Sequence, residues 1–124
     1  MNLVNEQNGF LKHNDIIILE SNEKTSKVKM NISENSLNPY GIVHGGLIFS
    51  MGDTVMGITI RSTGRDTVTL DGTINYLKPG KGKYLIATSE VIKVGKTTSV
   101  LMANIYNDKE ELIAVMSATY YFIN

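Results

Sequence analysis

Polar and apolar residues alternate at period two through Lys27-Val28-Lys29-Met30-Asn31-Ile32, as a strand with one buried face requires. An apolar run from Ile16 to Glu20 precedes it, and the polar residues 21–24 between the two predict a hairpin. Ahead of the hairpin, residues 1–14 predict a short helix, placed over 3–12, or an irregular segment. Residues 33–40, rich in Asn, Ser and Pro, predict a loop. The period then changes. From Gly45 to about residue 62, Leu47/Ile48, Met51, Val55 and Ile58 fall on one stripe at helical spacing, with Phe49, Met56 and Ile60 on the other side. A helix that is apolar nearly all round is a buried one.

Beyond the helix the chain reads as β-structure to its end. Residues 67–77, 83–94, 97–107 and 112–123 are rich in β-branched and aromatic side chains. Turn residues at 79–82, 95–96 and 107–110 punctuate them, which predicts an antiparallel meander. One buried helix against a strongly curved antiparallel sheet is an α+β arrangement. There is no internal repeat, low-complexity tract or linker.

Length and composition narrow the function. The 124 residues suit one domain, too short for a separate nucleotide-binding or regulatory module. Twelve Lys plus Arg balance twelve Asp plus Glu, so there is no global basic field and no nucleic-acid partner is expected. Cysteine is absent, which removes a thiolate nucleophile and a disulfide framework, and His13 and His44 alone make no zinc set. Residues 1–11 are polar where a signal peptide needs an apolar run, and no segment approaches the roughly 18 apolar residues of a membrane span. The expectation is a soluble cytoplasmic protein with no membrane partner.

The densest chemistry lies in Asn38-Pro39-Tyr40-Gly41-Ile42-Val43-His44-Gly45-Gly46 and the helix that follows. Two glycines at a helix start leave backbone N–H groups unshielded where the dipole favours negative charge, which suits a developing oxyanion. Asp53, the one acid in the helix, is nine residues past His44. On a helix that is about 13 Å along the axis and near the opposite face, so the two cannot touch within one chain. If both serve one reaction, the site is composite, one subunit's helix start facing the other's acid in a homodimer. Read alone, Asp53 is equally a structural hydrogen-bonding group at a dimer seam, His44 a helix cap, and Gly45 and Gly46 packing residues.

Five elements in order, Asn38-x-x-Gly41-x-x-His44-Gly45-Gly46, Asp53, Thr69-x-Asp71, Asn75-Tyr76-Leu77-x-Pro79 and Val94-Gly95-Lys96-Thr97, resemble the PaaI-type (phenylacetic acid degradation type) hotdog thioesterases. The resemblance spans roughly residues 35–122. It implies a hotdog fold, a long central helix wrapped by a curved five- to six-stranded antiparallel sheet. It also implies dimers that commonly pair into tetramers, and hydrolysis of acyl-CoA with no cofactor, coenzyme A being part of the substrate. By the same resemblance Asp53 is the general base or nucleophile, Gly45 N–H polarises the thioester carbonyl, Asn38 and His44 orient thioester or water, and Thr69 positions water.

Coenzyme A is expected at the turn Gly95, Lys96, Thr97 and Thr98, which by resemblance runs beside the pantetheine arm. Lys78, Lys81, Lys83, Lys93 and Lys96 on neighbouring turns suit its phosphates or form a solvated rim. Phe49, Met51, Met56 and Tyr76 line the acyl pocket or fill the core. Two other readings stay open: a non-catalytic acyl-CoA-binding or sensing protein, and an enoyl-thioester hydratase, whose compact Asp-x-x-x-x-His arrangement is absent. The acyl group itself is not legible.

Overall fold

The computed structural model describes residues 1–124. The opening helix is shorter than residues 3–12: α1 spans Gly9–His13 only. It starts where the Asn8 side chain accepts from Leu11 N–H at 3.1 Å, and Asn14 Nδ2 closes it on the Phe10 carbonyl at 2.9 Å. β1 (Ile16–Ser21) and β2 (Ser26–Asn31) form the expected hairpin, Ile16 opposite Met30 and Ile18 opposite Val28, all four buried. In its turn Asn22 Oδ1 accepts from the N–H groups of Lys24 and Thr25, each at 2.9 Å. The predicted loop over residues 33–40 contains a single 3₁₀ turn, Glu34–Ser36.

The helix expected from Gly45 is α2, Gly45–Arg61. Its apolar stripe, Ile48, Met51, Val55 and Ile58, is buried, and so are Met56 and Ile60 from the other side. Gly52 sets how closely it approaches the sheet, because a Cβ there would lie 2.5 Å from the Met116 sulfur. The strands β3 (Thr67–Tyr76), β4 (Tyr84–Val94), β5 (Thr98–Asn107) and β6 (Leu112–Phe122) fall within a residue or so of the predicted segments.

Their order departs from a simple meander. The sheet runs β1-β2-β4-β5-β6-β3, antiparallel throughout, so β4 to β6 are a meander while β3 pairs with β6 at the far edge. The physical reason is α2. It crosses the sheet face after β2 and delivers the chain to the opposite edge, which frees β2 to pair with β4. The result is the hotdog arrangement that the resemblance implied, with six strands curved around one helix and the sheet left open at β1 and β3. No helix is long and apolar enough to cross a membrane.

Candidate active site

Two recesses flank opposite ends of α2, and no residue is common to both. At the N-terminal end, His44 is the helix cap, its Nδ1 accepting from Gly46 N–H at 2.9 Å. Of the two glycine N–H groups expected to be open, one is therefore taken. Gly45 N–H has no acceptor in the chain and remains free at the positive end of the helix dipole. Asn38 Oδ1 is spent on its own loop, accepting from Tyr40 N–H at 2.9 Å and Ile42 N–H at 3.3 Å, so the side chain offers its Nδ2 donors to the recess. Tyr76 on β3 donates its hydroxyl to the Gly45 carbonyl at 2.6 Å, and its ring stands where a Cβ on Gly45 would point, at 3.2 Å. Partial burial pushes the Tyr76 phenol up, so it stays a donor.

At the other recess the carboxylate of Asp53 is gripped by hydroxyls from two strands. Thr69 Oγ1 donates to Asp53 Oδ1 at 2.6 Å, and the Tyr120 hydroxyl lies 2.7 Å from the same oxygen and 2.9 Å from the Asp53 carbonyl. Thr69 and Tyr120 are cross-strand partners of β3 and β6. Immediately after Thr69 the register shifts between Thr69 and Asp71, a bulge that changes which residues of β3 face the helix. Thr69 faces Asp53 before it, and Gly72 and Tyr76 face Phe49 and Gly45 after it. Burial pushes the Tyr120 phenol far up, and the Asp53 charge and hydrogen bond push it further, so it is a neutral donor at any physiological pH.

Every hydrogen bond to the Asp53 side chain falls on Oδ1, leaving Oδ2 to the cleft. That cleft continues along α2 past Gly57 to Arg61, whose guanidinium pairs with Glu6. Tyr120 was not among the residues singled out from the sequence. Its inward position could have been read from the alternation of Ala114, Met116, Ala118 and Tyr120, all buried, but nothing in the pattern names its partner.

The remaining candidates scatter. Gly95 to Thr98 make the β4–β5 turn, where Gly95 N–H donates to the Thr98 carbonyl at 2.8 Å, and they line neither recess. Lys78 is paired with Glu111 at 3.0 Å, whereas Lys81, Lys83, Lys93 and Lys96 form no ion pair. Asn107 and Lys78 together hold the Glu111 carboxyl below its ordinary value. Met51 and Met56 are fully buried core, and Phe49 packs on Gly72. His13 is exposed at the end of α1.

Residues 40–114 match the family model described as the thioesterase superfamily. The acyl-coenzyme A thioesterase PaaI of Escherichia coli is 34% identical over 101 residues, 81% of this chain and 72% of the relative. The solved structure of the E. coli PaaI protein from the phenylacetic acid degradation operon superposes with a TM-score of 0.91 at 30% identity, covering 97% of this chain and 88% of that one. A hypothetical thioesterase of Streptococcus pneumoniae, solved with coenzyme A, superposes at 0.83 and 32% identity over 88% of this chain and 86% of its own.

Proposed function

This chain belongs to the thioesterase superfamily, as a PaaI-type hotdog thioesterase, and on that premise we propose that it hydrolyses acyl-CoA with Asp53 as its reacting carboxylate. The observation that carries the proposal is the Asp53 side chain itself, oriented by two hydroxyls on one oxygen with the other facing a cleft. As general base, Oδ2 takes a proton from water while the water oxygen bonds to the thioester carbon. The C–S bond then breaks and coenzyme A leaves as the thiolate, which takes up the proton. As nucleophile, Oδ2 attacks that carbon, the C–S bond breaks and coenzyme A leaves as the thiolate. Water then adds to the resulting anhydride, restoring the Asp53 carboxylate and releasing the free acid, while a water proton goes to the thiolate. In both routes the carbonyl oxygen becomes an oxyanion that needs a donor such as Gly45 N–H.

Gly45 and Asp53 sit in separate recesses, so the site is assembled from two subunits. β3 supports this, because it is an unpaired edge of ten residues with Leu70 and Tyr76 at least half exposed. It touches both recesses, Tyr76 at one and Thr69 at the other. Antiparallel pairing of two such edges about a dyad between Gly72 and Thr73 sets Tyr76 of one subunit beside Thr69 of the partner subunit. The Gly45 amide of one protomer then faces the Asp53 carboxylate of the next, twice per dimer, and two dimers can pair as a tetramer.

The direct test is release of free thiol from a panel of acyl-CoA esters. Turnover of at least one ester without added metal or redox cofactor is expected, while tight binding with no thiol released would make the protein a sensor instead. Within that assay, Tyr120→Phe is expected to lower kcat by about tenfold with little change in KM, because the carboxylate loses one of two restraints but no contact with substrate is removed. An equal rise in KM would point to a role in the binding pocket.

A further inference from the structure

The cleft beside Asp53 has a far end, and its chemistry differs from its floor. Asp53, Gly57 and Arg61 are spaced four residues apart on one face of α2, so the cleft extends about 12 Å along the helix. Gly57 contributes no side chain to it. A Cβ there would lie 3.7 Å from the Tyr120 ring, an ordinary contact, so packing does not demand glycine and the missing side chain leaves room. Leu11, Ile58 and Val68 supply apolar walls. At the end the Arg61 guanidinium and the Glu6 carboxylate close on each other, their side chains 36% and 28% exposed.

We propose that the Arg61–Glu6 pair is the chain-length stop of the acyl site, which restricts this enzyme to short and medium acyl groups. The inference rests on the thioesterase reading with Asp53 as the reacting group. An acyl chain whose carbonyl lies at Asp53 runs along Gly57 between the apolar walls, and each methylene gains by leaving water. A chain long enough to reach the pair must instead strip water from two charges and offers no hydrogen bond in return. Glu6 comes from the segment before α1, so the N-terminal residues form part of the site rather than a mere extension of the hotdog.

The test is the ratio of kcat/KM for dodecanoyl-CoA to that for hexanoyl-CoA, within a series running from acetyl-CoA upward. A ratio is insensitive to how much of a variant is folded. The native chain is expected to show a ratio of about 0.1 or less, and the double variant Glu6→Gln/Arg61→Met to raise it at least about tenfold, the scale of an apolar surface replacing a charged one. Arg61→Lys, which keeps an ion pair, is expected to leave the ratio low. A double variant with the native ratio, or a native chain that takes both esters equally, overturns the stop while leaving the thioesterase intact. Thiol release from no ester in the series overturns both.

Discussion

Asp53→Asn and Asp53→Ala are each expected to lower thiol release by at least about 10²-fold, the scale of one lost acid–base participant. The fold is expected to survive both changes for reasons visible around the residue. An asparagine oxygen still accepts from Thr69 and Tyr120 in place of Oδ1. With alanine the buried Tyr120 hydroxyl keeps the Asp53 backbone carbonyl, 2.9 Å away, so no buried donor is orphaned. What disappears in both is the second carboxylate oxygen, the atom proposed to take a proton or attack carbon. Thermal unfolding and size-exclusion profiles close to native, together with the lost rate, would assign the defect to chemistry. Native turnover in either variant would remove Asp53 from the mechanism.

Mixed dimers provide the second large effect. Asn38→Asp keeps the oxygen that accepts from Tyr40 and Ile42 and so preserves the loop, but it removes the Nδ2 donors and adds a negative charge near the oxyanion. Its rate is expected to fall about 10²-fold, as for other lost oxyanion donors. Refolded together with Asp53→Ala in equal amounts, half of the dimers carry one chain of each kind. In a shared site, such a dimer joins the intact Asn38 of one chain to the intact Asp53 of the other, so about a quarter of native activity returns. If each chain carried a complete site of its own, every site in the mixture would hold one defect and nothing would return.

Much of the architecture follows from local pattern. The period of 3.6 that begins at Gly45 marks α2 because an all-round apolar segment of that length has nowhere to go but the core, and the polar and apolar alternation of β2 marks its buried face. The five motifs pick out Asp53, Thr69, Gly45 and Asn38, and the helical rise and rotation set His44 and Asp53 near opposite faces, out of contact within one chain. That Gly45 and Asp53 line different recesses is read from the fold. The opening segment is irregular up to Asn8 and helical only over Gly9–His13 behind the Asn8 cap, since an Asn-rich stretch favours caps and turns over helix interior.

What local pattern left open is partnership. That β3 lies beside β6 depends on where α2 carries the chain, not on any property of residues 67–76. That Tyr120 holds Asp53 depends on a register in which Thr69 opposes Tyr120, followed at once by a bulge. A slip of β3 by one residue would turn the Thr69 hydroxyl to the outer face and away from Asp53, because strand side chains alternate. Residue types and their periods specify which elements form and which groups can react. The meeting of a carboxylate with a phenol 67 residues further on is a long-range fact, decided only when helix and sheet pack together.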